Sequence, residues 1–389
     1  MTGPGGSVVC QAGRVRRLIA LDLPGGADFV LALRRCWAEG DAVLVLDPRL
    51  PALARTALIG AARPHHAITA LGADPVPLDP AAPPIEDGDA LVVTTSGSTG
   101  EPKVLVHTHD SLRAHALAVH ERLAVDAARD RWLATLPLNH LGGFGVVARS
   151  VITGTPVDVE PAFDASVVAA SPDRYGTTLV SLVATALDRI DPSPFRWVVL
   201  GGSADPVRRP PNVVRTYGLT ETGGGIVYEG TPLPGVEVRI EDDREILLRS
   251  ATLARGRRAQ DGHVVGLVDD QGWLHTGDLG SWGTDGRLVV EGRADDLIVT
   301  GGENVWPGPV EDVLRTHPLV AHVMVVGELD PEWGKRVVAI VVPLAAGTPP
   351  SLASLREHVR ERLPAYAAPR DLRLVTEIPR TSLGKVIRR

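Results

Sequence analysis

Short apolar runs bounded by turn residues alternate with stretches of helical spacing through the first two hundred or so residues. Phe29 to Trp37 carries apolar residues at helical spacing, and Ala42-Val43-Leu44-Val45-Leu46 is an apolar run of the kind that forms a buried strand. Asp74 to Pro84 is proline-rich and reads as an extended connector. Asp89 to Thr95 reads as a strand, and Ser111 to Leu123 as a helix with Ser111 as its cap. Further strand-like runs follow at Trp132–Leu136, Thr177–Val183 and Trp197–Leu200. Strand–helix alternation of this kind predicts an α/β domain with mostly parallel sheets. From about Val236 the pattern changes. Val236–Ile240 and Glu245–Leu248 alternate polar and apolar, as half-buried antiparallel strands do, and imply a β-rich subdomain. The last block has helical patterns at Pro309–Thr316 and Leu352–Leu363 around the strand-like Val337–Val342, a small α+β domain.

Composition narrows the function. The 389 residues are 44% hydrophobic and 22% charged, as in globular proteins, and the 41 glycines and 32 prolines follow no repeat. A net charge of −7 argues against a nucleic-acid partner held by phosphate contacts. No run of 18 apolar residues predicts a membrane span. Two cysteines, Cys10 and Cys36, with no C-x-x-C spacing suit a reducing cytoplasm, and Met1 to Gln11 does not read as a secretion signal.

The strongest local motif is Thr94-Thr95-Ser96-Gly97-Ser98-Thr99-Gly100-Glu101-Pro102-Lys103. Small residues after a strand let backbone N–H groups and hydroxyls converge on an anion. The P-loop of NTPases does not fit, because Pro102 precedes Lys103 and Val104 follows it. The string resembles instead the phosphate loop of the acyl-adenylate-forming superfamily, which includes acyl-CoA synthetases, luciferase and peptide-synthetase adenylation domains. That family usually has Gly where Val104 stands.

Other elements of the family follow in order. Gly201-Gly202-Ser203 resembles the adenine-side loop, and Tyr217-Gly218-Leu219-Thr220-Glu221 resembles the Y-G-x-T-E element. By that resemblance Tyr217 packs on adenine, Thr220 contacts the α-phosphate and Glu221 helps hold Mg²⁺, a hard carboxylate for a hard cation. Thr276-Gly277-Asp278 matches the element whose carboxylate holds the ribose; alone, it is equally a turn. Arg293 would reach the ribose and Asp295 would be the interdomain hinge, although the two could simply pair on the surface. Gly301, Gly302 and Glu303 resemble the loop that enters for thioester formation, and Lys385 matches the catalytic lysine of adenylation. The resemblance therefore implies an AMP-binding domain over residues 1–294, short at its N-terminus for the family, and a mobile C-terminal domain over 295–389.

The implied activity is ATP- and Mg²⁺-dependent activation of a carboxylic acid as acyl-AMP, then transfer to coenzyme A. Leu136 to Ser150, with His140 as a gate, resembles the acid-site segment of the o-succinylbenzoate–CoA ligases of menaquinone synthesis, as does Thr220 to Leu233. That substrate has a second carboxylate, for which Arg149 and the backbone N–H groups of Gly223, Gly224 and Gly225 are candidate donors. Alternatives are an aryl or medium-chain fatty acid–CoA ligase, a stand-alone protein that loads a carrier protein, and a member with a decayed site. The oligomeric state is open, a homodimer being one option.

Overall fold

The structure, a computed structural model, describes residues 15–96, 102–202 and 209–378. Its strands fall into four sheets. The first begins with β1 (Leu18–Leu21), α1 (Ala27–Ala38), β2 (Ala42–Val45), α2 (Ala52–Ala62), β3 (His66–Ile68), β4 (Val76–Pro77), β5 (Asp89–Ser96), β6 (Pro102–Thr108) and α3 (His109–Leu123). Strands β1, β2, β3 and β5 are parallel, while β4 and β6 pair antiparallel.

The second sheet takes β7 (Trp132–Ala134), α4 (Leu141–Thr153), β8 (Val157–Val159), α5 (Ala165–Tyr175), β9 (Leu179–Val183), α6 (Ala184–Leu187), β10 (Trp197–Gly201), β11 (Val213–Leu219), β12 (Gly224–Tyr228) and β13 (Thr231–Pro232). It is parallel from β8 to β11 and ends in the antiparallel β12 and β13. Next come β14 (Val236–Ile240), β15 (Glu245–Ser250), β16 (Gly256–Arg258), β17 (Val264–Val265), β18 (Leu274–Trp282) and β19 (Leu288–Arg293). Strands β16 and β17 return to the edge of the first sheet; the other four make an antiparallel third sheet. The parallel strands expected from the sequence thus form the centres of the first two sheets, and their rims are antiparallel.

The fourth sheet holds β20 (Ile298–Thr300), β21 (Glu303–Val305), β22 (Val320–Asp330), β23 (Gly334–Pro343) and β24 (Asp371–Leu374), with α7 (Pro307–Arg315) and α8 (Leu352–Arg360) packed on it. Val305, Val310, Leu314, Val325, Val337, Leu355 and Val359 form a core of its own. A separate core joins the first three sheets through Phe29, Leu91, Trp132, Phe144, Ile226 and Leu248.

Several boundaries shift by one to three residues, and two of these shifts have a clear local cause. The cap of α3 is Thr108, still extended from β6; its side chain accepts from the Ser111 N–H, and Ser111 answers by accepting from the Thr108 N–H. Helix α8 stops at Arg360, short of Leu363, because Pro364 disfavours helical backbone before it.

Candidate active site

Strands β11 and β12 are joined by the turn Thr220–Gly223, and this turn is where three sheets meet. Gly218 is required there: a Cβ on it would lie 2.0 Å from the Gly224 carbonyl oxygen across the ladder. Gly223 (φ +78°) and Gly224 (φ +125°) take backbone conformations that suit glycine. From the first sheet, His107 at the end of β6 donates Nε2–H to the Thr220 carbonyl (2.8 Å), and Ala254, leading into β16, donates N–H to the Glu221 carbonyl (2.7 Å). His115 on α3 donates Nε2–H to the Gly225 carbonyl (3.1 Å). The Thr222 hydroxyl lies 2.6 Å from the Gly224 carbonyl oxygen. Burial lowers His107 to about 4; burial, then repulsion by Arg149, lowers His115 to about 3. Both rings are therefore neutral donors.

From the third sheet, Asp278 on β18 accepts from the Tyr217 hydroxyl (2.8 Å) and from Arg293 (3.0 Å). Burial first, then the Asp278 carboxylate, raise the Tyr217 hydroxyl, which keeps its proton and donates. Arg293 pairs with Asp278 rather than with Asp295, and also donates to the Thr276 carbonyl (2.7 Å). Glu245 fixes the turn before Asp278 by accepting from the Gly277 N–H (2.8 Å). A carboxylate has about four acceptor sites, so Asp278 can still accept from hydroxyls of a ligand. Gly201 and Gly202, at the end of β10, border open space: a Cβ on either would meet nothing within 4 Å. That position, past the carboxyl end of a parallel strand, is where α/β sheets bind ligands. Among the described residues no cation lies within ion-pair distance of Glu221, which leaves its carboxylate able to bind a metal. No cluster of three or more metal-ligating side chains occurs among them either. One carboxylate suits Mg²⁺ that arrives with phosphates.

On the other side of the turn lies Arg149, in α4. It is 5% exposed, its guanidinium stacks on Trp132 at 4.7 Å, and no hydrogen-bond partner reaches its Nε. No carboxylate pairs with it among the described residues. A Cβ at Gly145 would lie 3.7 Å from its Nη1 and 4.0 Å from the Gly223 carbonyl oxygen, so the guanidinium and the glycine arm flank one small space. His140 is the N-cap residue of α4, half-buried near Asp47; burial lowers it and Asp47 opposes the shift. It lines a small gap with Thr94, Asn139 and Phe144, close to where β5 runs toward the phosphate-loop motif. Gly143 lets α4 start here, since a Cβ on it would come within 2.4 Å of the Leu136 carbonyl oxygen.

The structure thus brings Tyr217, Gly218, Thr220, Glu221, Asp278 and Arg293 together, with Arg149 and Gly223–Gly225 on the opposite flank. Thr95 and Lys103 face each other across the β5–β6 ladder. Gly97, Ser98, Thr99, Gly100 and Lys385 lie outside the described residues, as does the side chain of Ser96. Asp295 is exposed, and Gly301–Gly302 form an exposed hairpin tip between β20 and β21. His107, His115 and Trp132 escape the sequence reading: a single histidine within an amphipathic pattern carries no signal of what its ring will bond.

Two family descriptions match the chain: AMP-binding enzyme over residues 72–256 and AMP-binding enzyme C-terminal domain over residues 309–385. The probable 2-succinylbenzoate–CoA ligase of Mycobacterium tuberculosis is 40% identical over 396 residues, covering 95% of this chain and 96% of its own length. The solved o-succinylbenzoate coenzyme A synthetase of Bacillus subtilis in complex with AMP superposes with a TM-score of 0.83 at 27% identity, covering 96% of this chain and 88% of that one. A double mutant of the same synthetase, bound to a product analogue, superposes at 0.62 with the same identity and coverage. The structure is thus more similar to the AMP complex than to the product-analogue complex.

Proposed function

The chain belongs to the AMP-binding enzyme family, and from that premise we propose that it is an acid–CoA ligase acting on o-succinylbenzoate. The observation that carries the choice of acid is Arg149. A buried guanidinium with no carboxylate partner is costly, and a substrate with a second carboxylate supplies the missing partner. A medium-chain fatty acid or plain aryl acid would leave that charge unpaired.

In the first step an oxygen of the substrate carboxylate attacks the α-phosphorus of ATP, and the bond to pyrophosphate breaks. Positioning and charge stabilisation supply most of such catalysis. Tyr217 would lie against the adenine beside Gly201 and Gly202, while Asp278 and Arg293 would hold the ribose. Thr220 would contact the α-phosphate. Magnesium, held by Glu221 with the phosphates, would offset their charge. The loop from Thr95 to Lys103 would hold the departing pyrophosphate, and Lys385 would neutralise the α-phosphate. In the second step the thiolate of coenzyme A attacks the acyl carbon and AMP leaves, with Gly301, Gly302 and Glu303 delivered beside the thiol by rotation about Asp295. His140 would gate the acid. The enzyme would work in the cytoplasm, a reading supported by its sparse cysteines; no described helix is long and apolar enough to cross a membrane.

The test is AMP and pyrophosphate release with ATP, Mg²⁺ and coenzyme A over o-succinylbenzoate, benzoates, cinnamates and fatty acids. Preference for o-succinylbenzoate that is lost in Arg149→Leu upholds the reading. Equal turnover of plain aryl or fatty acids removes it. Lys385→Ala should abolish pyrophosphate release yet still form thioester from supplied acyl-adenylate.

A further inference from the structure

We infer that His107 and His115 are positioning residues that set the two halves of the 220–225 turn separately, His107 the nucleotide half and His115 the acid half. The inference rests on the reading above, in which Thr220 and Glu221 face ATP and Gly223–Gly225 face the acid.

The geometry divides cleanly. His107 reaches only the first residue of the turn, through the Thr220 carbonyl at 2.8 Å. That carbonyl can only accept, which fixes the tautomer that donates from Nε2; the other ring nitrogen faces the Ser111 hydroxyl at 3.5 Å. His115 serves the far end. Besides its bond to Gly225, its ring underlies the neighbouring glycines. A Cβ at Gly224 would come 3.3 Å from its Nε2, and one at Gly223 would lie 3.7 Å from its Cγ and Cδ2. Between the two anchors the backbone passes through residues with positive φ, where one half can turn without carrying the other. Both histidines are fully buried, and neither is placed to touch a substrate. They would act through the carbonyls they hold, aiming the Thr220 hydroxyl and Glu221 carboxylate in one case and the N–H groups of the glycine arm in the other.

The test uses paired substitutions. The amide nitrogen of Gln reaches about as far as Nε2 of His, whereas that of Asn ends near Nδ1. Pyrophosphate release is measured in the full-length enzyme with ATP–Mg²⁺ and o-succinylbenzoate varied in turn. His107→Asn should raise the KM for ATP roughly ten-fold, the scale set by an unpaired buried carbonyl, and leave the acid KM unchanged. His115→Asn should do the reverse. His107→Gln and His115→Gln should restore both constants. Variants that raise both KM values together, that lose only thermal stability, or that Gln fails to rescue overturn the inference. Should an Asn variant not fold, its Gln counterpart decides: wild-type constants uphold the donor role, and altered constants for both substrates overturn it. Wild-type enzyme inactive on o-succinylbenzoate refutes the substrate reading instead, and the same split is then sought with whichever acid the panel identifies.

Discussion

Two glycine-bearing turns differ in how they are held. The turn at 220–225 sits among three sheets, and four of its carbonyls take hydrogen bonds from His107, Ala254, Thr222 and His115. The hairpin tip at Gly301–Gly302 is exposed. It is tied by the Thr300–Glu303 pairing, by a bond from Gly301 N–H to the Trp333 carbonyl (2.9 Å), and by the Trp333 ring beneath it. Its φ values of +60° and +85° are those of a tight two-residue hairpin, so it is shaped mainly by its glycines and by one neighbouring loop. A turn fixed from several elements is rigid by tertiary packing, whereas a turn shaped locally keeps its form wherever its sheet is carried. Under the proposed mechanism, that difference would separate a fixed binding surface from a part delivered by rotation.

The largest expected effect breaks the first turn. Gly218→Ala forces its Cβ against backbone at 2.0 Å, which no rotamer can relieve, so β11 and β12 must part. We expect pyrophosphate release to be lost and stability to fall by about 3 kcal/mol, read by thermal melting. Near-native activity would show that the turn tolerates displacement and is not the rigid element described here.

Acid should loosen the same turn next. Ordinary histidine titrates near 6.5, but in the folded protein His107 binds a proton only near pH 4 and His115 near pH 3. Between those values and pH 6.5 the unfolded chain holds more protons, so stability is complete above pH 6.5 and falls as pH drops. Each histidine should cost about 1.4 kcal/mol per pH unit in that window. Urea melts of wild type and His115→Gln from pH 7 to 5 should diverge, the variant showing the shallower dependence. Amide exchange should accelerate at 220–225 more than at the 301–302 hairpin, which has no buried histidine bonded to it.

Much of this contrast was legible in the sequence, and the reason is local. Thr276-Gly277-Asp278 and Tyr217-Gly218-Leu219-Thr220-Glu221 are short strings whose side chains work within a few residues of one another. The alternation of Val236–Ile240 likewise becomes strand β14 with the same limits. What was not legible is long-range. His107 and Thr220 are 113 residues apart and His115 and Gly225 are 110, so only the tertiary packing that brings β6 to the turn and α3 to β12 joins them. The Arg293–Asp295 pairing failed for a related reason: β18 and β19 are register partners, which sets Arg293 opposite Asp278.

A smaller effect is expected at the hairpin. Gly302→Ala meets open space and carries only the cost of positive φ, about 1 kcal/mol. Gly301→Ala also presses on the Trp333 ring at 2.6 Å, but a side chain can yield where backbone cannot. Both should spare pyrophosphate release and slow thioester formation from supplied acyl-adenylate. Equal loss of both half-reactions would mean that the hairpin supports the first step too, and the contrast between the turns would narrow.

The smallest effect should come from the contact that joins the two bodies carrying these turns. Trp306, just before α7, lays its ring against Gly292 of β19, and its Nε1–H donates to Glu291 (3.1 Å). Glu291 also pairs with Arg244 and accepts from the Ser281 hydroxyl (3.1 Å). Removing the indole N–H in Trp306→Phe therefore strands no charge, and the ring still covers Gly292. The loss is one partly exposed hydrogen bond, about 0.5 kcal/mol. Because it joins β19 to the fourth-sheet body, it favours the arrangement seen here, which is more similar to the AMP complex than to the product-analogue complex. Loosening it should leave the melting temperature nearly unchanged while thioester formation from supplied acyl-adenylate rises two- to three-fold relative to pyrophosphate release, roughly the factor that a fraction of a kcal/mol implies. An unchanged ratio would mean that the bond persists, or is replaced at equal strength, in both arrangements.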